Sequence, residues 1–299
     1  MTGQTGRSVI VTGALGFVAA HLIPHLRARG DRVVAIVRPG RDAARLEREG
    51  VEVRRAELSG PKALGAAFSG ADGIVHLAGL ALVPGMVPAM RAGGARRGVF
   101  VSSAGVYTRL PSRGAEAKRA GERALEDAGF EWVLLRPSMI YGTPADRNLA
   151  RLLRWIERFP VVPLPGGGET PQQPVHVEDL CAAILAALER PGVAGRAFDV
   201  GGPRPLPLRE AVAIAADALG RRVWTPHLPL GPAHAAVSLL GRLRLPSPVR
   251  PEQVLRLAES KAVDIRPARA ALGFDPRSFE DGIRAEVRML REERGARRP

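Results

Sequence analysis

The chain has 299 residues and is 45% hydrophobic, enough to bury one large α/β core or a cofactor domain with a smaller lobe. No apolar run approaches the roughly 18 residues of a spanning helix, and one cysteine, Cys181, allows no internal disulfide. The net charge of +14 is carried by 44 basic residues of which only Lys62, Lys118 and Lys261 are lysines, and aromatics make up 4%, so dispersed arginine use is expected rather than a nucleic-acid surface.

In chain order, the first predicted element is the strand ending at Val9-Ile10-Val11. With the strand starting by residue 8, no secretory leader and a cytoplasmic location are expected. Thr12-Gly13-Ala14-Leu15-Gly16-Phe17-Val18-Ala19 then turns into an apolar helix over 17–29, despite Pro24. Gly13 permits the tight turn, Gly16 lets a pyrophosphate approach, and Ala19 allows close packing of helix on strand. The helix start offers N–H groups to phosphate. A second strand, Val33–Val37, ends at Arg38-Pro39-Gly40-Arg41 with no carboxylate before Asp42. A carboxylate there would grip the ribose hydroxyls of NAD, whereas Arg38 and Arg41 suit the 2′-phosphate. NADP(H) is therefore favoured over NAD(H), the alternative being a solvent-facing arginine.

A helix near 41–49, a strand at 51–54, a helix near 61–69 and a strand at 73–77 follow. Residues 80–97 read as a short segment broken by Pro84, Gly85 and Pro88. A strand at 99–103, a helix at about 115–128 and a strand at 132–136 complete an alternation that predicts a Rossmann-type, doubly wound parallel sheet over 1–142. Beyond it, 143–299 reads as a smaller, mostly helical C-terminal substrate lobe. It has helices near 147–158, 178–190 and 208–219, a strand at 197–200, and a basic tail from Arg284 to Arg298 that reads as a solvated helix with a frayed end. Cys181 reads as a small core residue. Segment 233–245 could touch a membrane surface or a protein partner. The spacing of Val237, Leu240 and Leu243 equally suits a buried helix, which is the expectation here.

Five blocks together resemble the extended and atypical short-chain dehydrogenases/reductases, the NAD-dependent epimerase/dehydratase-like group: Thr12–Ala19, His76–Gly79, Ser102–Tyr107, Arg136–Gly142 and Pro174–Leu180. The resemblance covers most of the chain. It implies cofactor contacts from Thr12, Gly13, Leu15, Gly16, Phe17, Val18, Leu58, Leu77, Ala78, Gly79, Ser102, Lys118, Pro137, Ser138 and Ile140. It also implies chemistry resting on a serine, a tyrosine and a lysine. Ser103 matches the serine and Lys118 the lysine. The tyrosine, four residues before the lysine, is Gly114 here, and glycine has no proton to transfer. Tyr107 is the candidate replacement, against a packing role. His176 is a weaker candidate, with a structural role favoured.

The degraded tyrosine motif is similar to the atypical group related to the NADPH-binding accessory subunit of respiratory complex I. The resemblance thus implies an NADP-dependent reductase or epimerase acting on a small hydroxy or keto compound, such as a nucleotide sugar. The alternative is a non-catalytic NADP(H)-binding sensor or assembly protein. No metal site is expected, because no histidine pair has carboxylate or cysteine company at ligand spacing. Oligomeric state is not legible.

Overall fold

The structure is a computed structural model describing residues 6–60, 64–146, 148–242, 255–256 and 258–296. Strand and helix alternate as β1 (Ser8–Thr12), α1 (Phe17–Ala28), β2 (Arg32–Val37), α2 (Ala44–Arg48), β3 (Glu52–Arg55), α3 (Leu64–Phe68), β4 (Gly73–His76), α4 (Val83–Ala92), β5 (Arg97–Val101), α5 (Arg113–Glu126) and β6 (Glu131–Pro137). The chain continues through β7 (Ile140–Tyr141), α6 (Leu149–Arg158), β8 (Leu164–Pro165), β9 (Pro171–Gln172), β10 (Val175–His176), α7 (Val177–Glu189) and β11 (Arg196–Val200). It ends with β12 (Leu206–Pro207), α8 (Leu208–Leu219), β13 (His227–Leu228), α9 (Leu230–Arg242), α10 (Arg266–Leu272) and α11 (Phe279–Ala296).

The central sheet has seven strands in the order β11-β6-β5-β4-β1-β2-β3, all parallel. This is the doubly wound arrangement expected from the alternation. Both faces are covered, so the inner strands are apolar along most of their length: β4 is buried throughout and β2 from Val33 to Val37. In β1, Val9 and Val11 join the core beneath α1 and α7, while Ile10 joins the opposite core with Phe68, Met86 and Leu125. On the first face, Glu178 of α7 accepts from His21 and His25, one turn apart on α1, at 2.6 Å each. This clamps the helix whose start faces the crevice.

The layers do not part at residue 142. Helix α7 and strand β11 belong to the sheet domain, with Asp199 opposite Arg136 in the β11–β6 register. A separate apolar core, built on Tyr141, Leu153, Ile156, Val212, Ile283 and Val287, defines the smaller lobe. Cys181 is fully buried against α1, and burial pushes its thiol upward.

Three readings of the chain change. Residues 80–92 are helical: a single 3-10 turn at Leu80–Leu82 runs into α4. Pro84 lies in the first turn, where a missing N–H costs nothing. Buried Val83, Met86, Val87 and Met90, at helical spacing, outweigh the one bond lost to Pro88. Helix α5 starts at Arg113, because the Ser112 hydroxyl accepts from the Ala115 N–H at 3.3 Å and caps it there. The C-terminal helix begins at Phe279 and buries Phe279, Ile283, Val287 and Leu290 in the lobe, so it is not merely solvated. Leu243 and residues 297–299 lie outside the described residues, as does the side chain of Leu240.

Candidate active site

The strand order reverses between β1 and β4, and their carboxyl ends open onto a crevice there. Thr12 Oγ1 and His76 Nδ1 lie 2.8 Å apart, both buried, and the Leu77 N–H donates to the Thr12 carbonyl at 3.2 Å. Burial pushes His76 down to about 4, so the ring is a neutral tie between the two strand ends. Gly13 follows with φ +67°, and a Cβ there would stand 2.8 Å from the Ala78 nitrogen. Only glycine fits. The Gly16 N–H donates to the Gly13 carbonyl at 2.8 Å, and Gly16 is the first cap of α1. No side chain caps α1 and no acidic residue lies in its first turn. Its leading N–H groups are therefore free for an anion. Leu15 and Gly16 are exposed here, Gly79 across the crevice likewise, while Phe17, Val18, Leu77 and Ala78 are half-buried. This cradle fits a pyrophosphate.

At the end of β2, Arg38 and Arg41 are exposed, and the Arg41 N–H donates to the Arg38 carbonyl at 3.2 Å. Among the described residues neither guanidinium has a hydrogen-bond or ion-pair partner. The nearest acid, Asp42, accepts from the Ala44 N–H at 2.9 Å. Leu58, expected among the cofactor contacts, is only 6% exposed and packs into the core with Ile36 and Leu64.

At the carboxyl ends of β5 and β6 the structure gathers Ser102, Ser103, Lys118, Pro137 and Ser138. The Ser138 hydroxyl donates to the Gln173 carbonyl, and Ile140 pairs with Val175 one strand away. Ser103 Oγ accepts from the Gly105 N–H at 3.0 Å. A Cβ added at Gly105 would lie 3.0 Å from Ser103 Oγ and 3.9 Å from Lys118 Nζ, so hydroxyl and ammonium flank one small space. Lys118 is half-buried. Burial, and then the charge of Arg256, push its pKa below the usual lysine range, with Glu122 pulling the other way.

Gly114 occupies the first turn of α5, exposed, with Ser112 Oγ 3.9 Å from the point where a Cβ would stand. Arg256 reaches in from the C-terminal segment and donates to the same Ser112 hydroxyl at 3.0 Å. That segment is anchored by Glu259, which accepts from the Thr108 hydroxyl at 2.7 and 2.9 Å and from the Arg109 N–H at 2.8 Å.

Tyr107 is not joined to Ser103 or Lys118. Its hydroxyl donates to Asp199 at 2.8 Å and accepts from Arg136 at 3.2 Å. Arg136 in turn pairs with Glu122 at 2.8 Å, and Glu122 accepts from Ser102 at 2.6 Å. Burial, together with the hydrogen bond to Asp199 and its charge, pushes Tyr107 up to about 12. A phenol so placed holds its proton. Asp199 and Arg256 were not singled out in the sequence; strand register and a long return of the chain place them. His176 is buried and caps α7, accepting from the Glu178 N–H at 3.2 Å, and burial pushes it down to about 4. Among the described residues no group of three or more metal-binding side chains converges.

The amino ends of the strands also border a concavity. Its lining includes Arg29, Arg97, Glu131 and Glu189, and these four charges pair with one another.

A family model described as NAD(P)H-binding matches residues 13–191. The chain is 29% identical over 297 residues to NADH dehydrogenase (ubiquinone) 1 alpha subcomplex subunit 9, mitochondrial, of Arabidopsis thaliana, covering 87% of this chain and 72% of the relative. It is 27% identical over 323 residues to 2-alkyl-3-oxoalkanoate reductase of Stenotrophomonas maltophilia, covering 92% of this chain and 97% of that one. The fold matches a nucleoside-diphosphate-sugar epimerase from Pseudomonas aeruginosa with a TM-score of 0.76 at 22% identity, over 96% of this chain and 98% of the other.

Proposed function

The chain belongs to the NAD(P)H-binding family, within the extended and atypical short-chain dehydrogenases/reductases, and from that premise we propose that it is an NADP(H)-dependent oxidoreductase acting on a small hydroxy or keto compound. The near full-length similarity to a 3-oxoalkanoate reductase favours ketone reduction over epimerisation. The bound nicotinamide would supply the hydride.

In this reading the start of α1 binds the pyrophosphate, and Arg38 with Arg41 binds the 2′-phosphate by charge-assisted hydrogen bonds. Lys118 holds the nicotinamide ribose and places a positive charge beside the reacting oxygen. Ser103 polarises that oxygen. The space above Gly114 admits a water as proton source, because Tyr107 is committed to Asp199. The observation that carries the reading is the half-buried Lys118 beside Ser103, with open space one turn earlier. A cytoplasmic setting belongs to the same reading; among the described residues no helix is long and apolar enough to cross a membrane.

The second reading is a protein that binds NADP(H) without turnover. The locked Tyr107 and the glycine at 114 favour it.

Titration calorimetry tests the cofactor claim. NADPH is expected to bind at least about tenfold more tightly than NADH, the worth of one charge-assisted phosphate contact. Arg38→Ala should remove most of the difference. Equal affinities in the unaltered chain would refute the assignment. Single-turnover oxidation of bound NADPH with a 3-oxoalkanoate, compared with a nucleotide sugar, separates the two readings.

A further inference from the structure

Two of the three tryptophans lie exposed on the smaller lobe. Trp155 is 41% exposed, Phe159 41% and Trp224 68%. Trp155 and Phe159 touch, with ring centroids 4.5 Å apart. Trp224 is stitched beside them: its N–H donates to the Pro160 carbonyl at 2.8 Å, and the Val162 N–H donates to its carbonyl at 2.9 Å. The pairing continues as β8 with β13 and brings exposed Leu228 to the same edge.

The cations fall around these rings. The outward face of α6 presents Arg151, Arg154, Trp155 and Arg158, all exposed and at helical spacing. The Arg158 guanidinium lies 5.7 Å over the Phe159 ring. Exposed Arg221 and Arg222 stand just before Trp224, and Arg221 donates to the Glu157 carbonyl at 3.2 Å. Glu157 is the only acid between residues 149 and 165, and Arg294 takes its carboxylate. Residues 219–232 contain no acid.

Large aromatics left in water together are unfavourable unless something covers them. Tryptophan and phenylalanine rimmed by arginine suit the boundary between lipid headgroups and acyl chains, where the rings lose water and the guanidinium groups meet anionic lipid. A second copy is a poor occupant, because each chain carries +14 and would bring like charge against like. We infer that the face formed by α6 and residues 221–228 docks the protein on an anionic lipid bilayer. The inference is independent of the cofactor reading.

The test is co-sedimentation of the full chain with phosphatidylcholine vesicles, with and without phosphatidylglycerol. The chain should pellet with the anionic vesicles, poorly with phosphatidylcholine alone, and less as salt is raised. Phe159→Ser with Trp224→Ser should lower the partition coefficient about tenfold, and Arg158→Gln with Arg222→Gln by a similar factor and chiefly for anionic vesicles. All four positions are exposed, so melting temperatures should hold and a folding defect would be visible. Equal pelleting of the unaltered chain and both variants, or no preference for the anionic lipid, would overturn the inference. So would a change confined to self-association in light scattering, which would assign the face to a second copy.

Discussion

Gly114 stands one helical turn before Lys118, in the first turn of α5, and nothing crowds it. Ser112 Oγ, at 3.9 Å, is an ordinary contact for a Cβ there. Gly114→Tyr should therefore fold, and it restores a phenol one turn from a lysine. The expected outcome is NADPH-linked ketone reduction raised by about ten- to a hundredfold, the range of a positioned general acid. Steady-state rates with 3-oxoalkanoates check it. No gain with intact cofactor binding would refute the expectation that a phenol one turn before Lys118 suffices. The glycine was legible as a gap in a motif. Its companion Arg256 was not, because 142 residues of chain separate them and only the return of the C-terminal segment brings them together. Tyr107 shows the same divide: its place near Ser103 follows from the chain, but its commitment to Asp199 follows from strand register.

At the scale of elements, the turn between β1 and α1 does two separable jobs. Gly13 meets the backbone of Leu77 and Ala78 across the sheet and sits at φ +67°. Gly13→Ala should cost about 1–3 kcal/mol of stability, for a strained left-handed residue pressed on backbone. Gly16 has ordinary dihedrals and would meet only the Gly13 carbonyl, at 3.0 Å. Gly16→Val presses on that one carbonyl and should cost less stability than Gly13→Ala, while it should abolish NADPH binding, since its branches would occupy the space proposed for the pyrophosphate. Chemical denaturation and calorimetry on both variants give the crossed result. A Gly16→Val chain that binds cofactor normally would misplace the turn. These glycines were readable from spacing alone, whereas α4 was not, because its prolines mask a buried stripe that only the packed sheet reveals.

The whole molecule carries a pH dependence in its buried groups. Glu286 of α11 is fully buried, and burial, then the charge of Asp146, push its carboxyl up to about 9. The folded state thus keeps a proton that the unfolded state releases above about 4.5, so stability falls as pH rises through that window. His76 and His176 are pushed down to about 4 by burial from an ordinary 6.5, so the folded state binds fewer protons between those values. Their contribution is complete above 6.5 and is lost as pH falls toward 4. Two histidines outweigh one carboxyl on the acid side, so these three groups together stabilise the fold most near pH 6.5. Urea midpoints across this range should show it, and Glu286→Gln should flatten the alkaline limb and raise the melting temperature at pH 8 by a few degrees, roughly the worth of 1–2 kcal/mol. An unchanged alkaline slope would mean that Glu286 is already ionised in the fold.

The sequence by itself determined the parallel sheet, the glycine turn between β1 and α1, the arginines after β2 and the glycine four residues before Lys118. These are local matters of apolar run, spacing and residue type, which act within a few residues of one another. The tertiary structure decided what Tyr107 bonds to, that Arg256 bonds to Ser112 at the start of α5, that β11 completes the sheet, and that Trp224 pairs with the segment following α6. Each of these joins residues far apart in the chain, and such contacts depend on strand order and on how elements pack, which no local pattern encodes.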